Sequence, residues 1–163
     1  MQNEPHLSLS AKKQVEAIVQ QMQSTSNISP LEIIELTEKD LDLIYSIAFT
    51  FYETGHYQKA HTLFTKLVLS SPFIPTYWKS LGSASQMLSK PKDALLNYGI
   101  ASLLDPFDPL THLYAAKVLI DLRRNEEAIS ALQKAESLAP NDDTEFHLQL
   151  KMLYERTSNS SAR

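Results

Sequence analysis

The amino-acid sequence predicts an all-α fold: three helix–turn–helix repeats in a right-handed superhelical array, with a helical extension before them and a capping helix after. Three observations predict it. Ala60, Ala94 and Ala128 fall 34 residues apart. Pro72, Pro106 and Pro140 keep that interval, each 12 residues after one of those alanines. Only three glycines occur in 163 residues, which disfavours a turn-rich β fold. A period of about 34 residues is the length of one two-helix unit. Such a unit cannot bury its apolar face alone, so neighbours stack into a curved solenoid with a concave face.

The extension spans residues 1–40. Residues 1–9 read as a loose terminus, and Ser10 is placed to cap a helix of about 14 residues. There Val15, Ile18, Val19 and Met22 follow the i, i+3, i+4, i+7 rule, with Lys12, Lys13, Glu16, Gln20 and Gln21 opposite. A helix this short is marginal alone in water, so the stripe must dock on its own domain or on a second copy. After the break at Ser24–Asn27, Ser29-Pro30-Leu31-Glu32 combines a capping serine, a first-turn proline and a returning glutamate. A short helix carrying Leu31, Ile33, Ile34 and Leu36 should follow.

The repeats are placed at 41–74, 75–108 and 109–142. In the first, Ile44, Ile47, Ala48 and Phe51 mark one helix, Gly55-His56-Tyr57 the turn, and Ala60, Phe64 and Leu67 the second helix. The second reads Trp78-x2-Leu81-Gly82-x2-Ser85, then Ala94-x3-Tyr98, Ala101 and Pro106, nearly the full tetratricopeptide signature. The third is weaker, with His112, Ala115, Ala116 and Leu119, then Ala128, Leu132 and Ala135. Gly82 and the equivalent Ala48 and Ala116 are expected to let paired helices approach closely, as are the period alanines of the second helices. Arg123 stands where the first repeat has Gly55, which suggests a relaxed turn.

Asn141–Glu145 supplies another start, and a capping helix over 143–156 places Phe146, Leu150, Leu153 and Tyr154 on one face. Residues 157–163, rich in serine, read as a disordered tail.

The bulk numbers exclude several functions. A formal net charge of −4 gives no nucleic-acid surface, and the absence of cysteine removes disulfide and thiolate chemistry while fitting a reducing cytoplasm. Met1–His6 lacks a basic flank with an apolar run behind it, so no signal peptide is expected. No apolar stretch approaches the roughly 18 residues of a membrane span, so no direct membrane insertion is expected. The five histidines lack ligand spacing, no nucleophile elbow or glycine-rich phosphate loop is present, and Asp142-Asp143 is explained by helix capping. No metal, no cofactor and no catalytic residue is expected.

The run from Leu43 to Ala60, with Tyr45, Phe49, Tyr52, Gly55 and Tyr57 in it, resembles the first repeat of the class II type III secretion chaperones, the translocator chaperones of Gram-negative bacteria. Pro109–Ala116 is similar to the start of their third repeat, and the layout matches over roughly residues 10–156. The resemblance implies a cytoplasmic chaperone that keeps hydrophobic translocators soluble. It would grip an extended client segment, with apolar and proline anchors, in the concave groove. It also implies self-association through the N-terminal helix, hence through Val15, Ile18, Val19 and Met22, and a further contact with a secretion gatekeeper protein.

First helices line the concave face of such arrays. The groove residues expected on this register are Tyr45, Phe49 and Tyr52, then Lys79, Ser83 and Gln86, then Leu113, Lys117 and Ile120, with Tyr77 and Tyr114 beside them. Rings would supply contact area, and Lys79, Gln86 and Lys117 would bond to peptide carbonyls. An aromatic stripe at helical spacing is often plain core, but Ile44, Ile47, Ala48 and Phe51 already fill the inner side of that helix. The alternative in the same fold is a generic tetratricopeptide adaptor, including the kind that clamps acidic C-terminal tails. The clamp positions hold Tyr45, Phe49, Ser80, Leu110 and Tyr114, none of them a cation.

Overall fold

The computed structural model describes residues 7–25 and 36–161, with side chains to Ser158. The described residues form eight helices and no strand: α1 (Leu9–Thr25), α2 (Glu38–Glu53), α3 (Tyr57–Ser70), α4 (Pro75–Met87), α5 (Pro91–Leu104), α6 (Pro109–Asp121), α7 (Asn125–Leu138) and α8 (Thr144–Ser161). The predicted all-α array is present. α2 packs on α3, α4 on α5 and α6 on α7, and each pair packs on the next. The helix start expected at Ser29–Glu32, with Leu31, Ile33 and Ile34 after it, lies outside the described residues.

Local chemistry sets the helix ends. Thr37 and Asp40 form a reciprocal capping box at the start of α2, with Thr37 N–H donating to Asp40 Oδ2 at 2.9 Å. Pro75, Pro91 and Pro109 open α4, α5 and α6, where a missing N–H matters least. The three turns inside the repeats share one backbone device: Gly55, Ser89 and Arg123 all have left-handed φ, at 78°, 58° and 61°. The expectation that the third turn is relaxed is therefore corrected. Arg123 adopts the glycine conformation because the helix pair still has to reverse there, and it bears the steric penalty of an L side chain.

Close packing follows the small residues. Ala48, Ala60, Ala94, Ala116 and Ala128 are fully buried. A Cβ on Gly82 would meet Tyr98 Cε1 at 2.7 Å, so only glycine admits that ring. The prolines closing the second helices do more than stop them. Trp78 Nε1–H donates to the Pro72 carbonyl at 2.7 Å, and ring nitrogens of His112 and His147 reach the Pro106 and Pro140 carbonyls at 3.2 and 3.0 Å. Each ring reaches a loop carbonyl two residues past a helix end and ties one helix pair to the helix that follows.

The ends of the stack correct three expectations. Ser8, not Ser10, caps α1, accepting from Ala11 N–H at 3.2 Å. Val15 and Val19 are buried in the cluster that holds Phe64, Leu67 and Val68, with Ile18 and Met22 packed against it. The stripe assigned to dimerisation therefore docks on its own domain, across α3, because that contact completes the first repeat's core. At the other end Asp143 caps α8, accepting from Phe146 N–H at 2.9 Å, and Phe146, Leu150 and Leu153 close the core of α6 and α7. α8 continues to Ser161, past the expected end at 156. The expected disordered tail is corrected over 157–161: Thr157 is buried and its hydroxyl, with that of Ser158, donates to the Tyr154 carbonyl, extending the helix.

Candidate functional site

One face of the array holds a cleft of about 510 Å³ between α2, α4 and α6. It is lined by Tyr45, Phe49, Tyr52 and Glu53 from α2, by Lys79, Ser80, Ser83, Gln86 and Met87 from α4, and by Tyr114 and Lys117 from α6. Phe64 of α3 and Tyr98 of α5 form part of the same lining. The structure thus brings Tyr45, Phe49, Tyr52, Lys79, Ser83, Gln86, Tyr114 and Lys117 together, as the repeat register expects. Tyr77, Leu113 and Ile120 do not join them. Tyr77 is 7% exposed and packs its ring 5.8 Å from that of Tyr45, behind the wall. Leu113 and Ile120 are 0% and 5% exposed because α8 covers α6, so both belong to the cluster with Phe146 and Leu150.

The α2 wall is a graded aromatic surface. Tyr45 stacks 6.4 Å from Phe49, leans on Phe64 at 5.8 Å, and sets its hydroxyl 3.2 Å from Ser80 Oγ. Tyr52 rests edge-on against Tyr57 at 5.5 Å, and burial is the main cause that lifts its phenol above the ordinary value. Tyr45 and Tyr52 are half-buried, whereas Phe49 remains 47% exposed. Three adjacent rings, two anchored and one open, offer area at little entropic cost.

The middle of the cleft is polar. Tyr98 enters over Gly82 and sets its hydroxyl 3.1 Å from Ser83 Oγ, while donating to Gln86 Oε1 at 3.2 Å. Burial pushes this phenol well above its ordinary range, so it stays a neutral donor. The sequence reading did not place Phe64 or Tyr98 in the cleft. Their signal was available: they are one period apart on the second helices, and Gly82 marks where a ring must pass.

The two lysines of the cleft differ. Lys79 Nζ lies 2.7 Å from Asp108 Oδ2, which also accepts from the Thr111 hydroxyl at 2.6 Å. Burial pushes the Asp108 carboxyl up, but hydrogen bonds from Lys79, Thr111 and the Leu110 N–H together hold it below its ordinary value. Lys79 is therefore charge-compensated by its own chain, with one of its three N–H donors spent on Asp108. Lys117 Nζ instead donates to the amide Oε1 of Gln149 at 3.1 Å and sits 5.2 Å from the Tyr114 ring centroid.

No protein-family model matches the chain. Over 112 residues it is 30% identical to the low calcium response locus protein H of Yersinia pestis, an alignment covering 69% of this chain and 66% of that protein. The type III secretion translocator chaperone SycD of Yersinia enterocolitica superposes with a TM-score of 0.74 at 24% identity, over 79% of this chain and 90% of that one. The chain belongs to the translocator-chaperone family of type III secretion. A second SycD structure, solved in complex with a peptide of the translocator YopD, superposes on this translocator-chaperone fold with a TM-score of 0.70 at 24% identity, over 79% of this chain and 98% of that one. Among the described residues of this family member, no helix is long and apolar enough to cross a membrane.

Proposed function

We propose that the chain is a cytoplasmic, non-catalytic secretion chaperone. Its concave cleft holds an extended segment of a hydrophobic translocator protein, keeping that client soluble until export. The observation that carries this reading is the open aromatic wall. Phe49 stays half exposed between two anchored tyrosines although Ala48, on the inner side of the same helix, is fully buried. An aliphatic or proline side chain laid there would bury surface that the chain itself leaves in water. Each buried anchor contributes about 1.5–3 kcal/mol. Two or three anchors, less the cost of association, give an affinity of roughly micromolar order, suited to later release. The peptide complex of SycD and the shared fold support the same reading.

Self-association and a gatekeeper contact belong to this proposal as further partners. Val15 and Val19 are buried on α3, which leaves the half-buried Ile18 and Met22 and the outer face of α1 for a second copy.

Co-expression with a hydrophobic translocator of the same secretion system tests the function. The client should be soluble with the wild-type chain and largely insoluble with Phe49→Ala/Tyr52→Ala, at equal chaperone level. Equal client solubility without the chain, or with the double variant, would overturn the reading.

A further inference from the structure

Among the described residues, the groove carries a half-buried cation that no carboxylate of the chain pairs with. Phe49, Ser83 and Lys117 occupy the same repeat position, and all three line the cleft. Lys79, the other lysine of the lining, is neutralised by Asp108 at 2.7 Å. Lys117 is half-buried, yet its partners are an uncharged amide oxygen at 3.1 Å and the face of the Tyr114 ring at 5.2 Å. The carboxylate of Glu53 lines the same cleft but does not pair with it. Burial first, and Arg156 second, push the Lys117 ammonium below its ordinary value. A desolvated cation without a counter-charge is costly unless that charge arrives with a ligand. Gln149 and Tyr114 meanwhile hold the ammonium in place, which lowers the ordering cost of meeting it.

We propose that Lys117 makes the third-repeat end of the groove a receptor for one carboxylate on the bound segment. The proposal rests on the peptide-binding reading of the cleft and names what that peptide carries: an acidic group beyond the apolar anchors that meet Tyr45, Phe49 and Tyr52. Apolar anchors at the α2 wall and an acidic group at α6 would fix both the direction and the register of the chain in the groove. This differs from a double-carboxylate clamp, whose positions hold no cation here.

The test uses the full chain and short fluorescein-labelled peptides with fixed apolar and proline anchors. Each remaining position is scanned as Asp against Asn, and every peptide is made with a free and an amidated C-terminus. The wild type should prefer one carboxylate about tenfold over its neutral counterpart. Read as the Asp-to-Asn affinity ratio within each variant, that preference should vanish in Lys117→Gln and survive in Lys117→Arg. A preference for Asp at one position assigns a side-chain carboxylate, and one abolished by amidation assigns a chain terminus. Binding that depends on Tyr52 but shows no carboxylate preference, or the same preference in Lys117→Gln, overturns the Lys117 assignment and leaves the groove standing. Peptide binding that is absent, or insensitive to Tyr52→Ala, overturns the groove reading and the Lys117 assignment with it.

Discussion

α2 and α6 carry the same register positions two periods apart, and the structure treats them oppositely. Tyr45 and Tyr52 flank an exposed Phe49 on α2, whereas Leu113 and Ile120 flank Lys117 on α6 and are buried. The cause is the neighbour of each helix. α8 packs on α6 and seals its flanks with Phe146, Leu150 and Leu153. α1, the helix before the array, crosses to α3 instead and leaves the α2 wall open. In a repeat protein, place within the repeat aims a side chain at the groove, and place in the stack decides whether a neighbouring helix seals it into the core.

The sharpest way to break that comparison is to truncate one apolar residue on each of the two helices. Leu113→Ala should lose about 2–5 kcal/mol in urea unfolding, because it empties a sealed site. Phe49→Ala should change stability by no more than about 1 kcal/mol while weakening peptide binding. Equal losses would mean that the two walls are not distinct. A smaller effect sharpens the polar middle that separates them. Gly82→Ala places a methyl 2.7 Å from the Tyr98 ring and should cost about 1–3 kcal/mol through overpacking, displacing the Tyr98 hydroxyl from Ser83 and Gln86. An unchanged melting point with an unmoved tyrosine resonance would refute the close approach.

The turns offer a gain instead of a loss. Ser89→Gly and Arg123→Gly should each stabilise the fold by about 1 kcal/mol by relieving left-handed φ, and the two should add, since they lie in separate repeats. Destabilisation by either would show that its side chain matters more than its backbone. The smallest effect concerns pH. The folded pKa of Asp108 lies below its ordinary 3.8, so its contribution is present above that value and is lost as pH falls through the folded pKa. Asp108→Asn should therefore flatten the acid limb of the stability profile, and an identical limb would remove the Lys79–Asp108 pair from the account.

Much of this was legible in the chain. The period alanines, Gly82 and the prolines announced the helix pairs, because small residues at contacts and breakers at ends act through local sterics. The α2 wall was legible too, since Ile44, Ala48 and Phe51 fill the inner side of that helix, although Ile47, grouped with them on spacing, is 42% exposed. Leu113 and Ile120 were misplaced because their burial depends on α8, a contact that no periodicity encodes. Lys79 lies in the cleft as its register expects, but its ion pair was not legible, because Asp108 reads as a helix cap in sequence and only the fold brings it to the lysine. Thr157 showed how serine-rich sequence can stay helical when its hydroxyls bond back to the preceding turn.

NMR mapping of the chain with and without a bound segment locates the groove. Large shifts are expected at Phe49, Tyr52, Ser83 and Lys117 on adding the segment, with Leu96 and Leu103, in the separate cleft between α1 and α5, unmoved. Shifts centred on Leu96 and Leu103, with the aromatic wall of α2 silent, would contradict it.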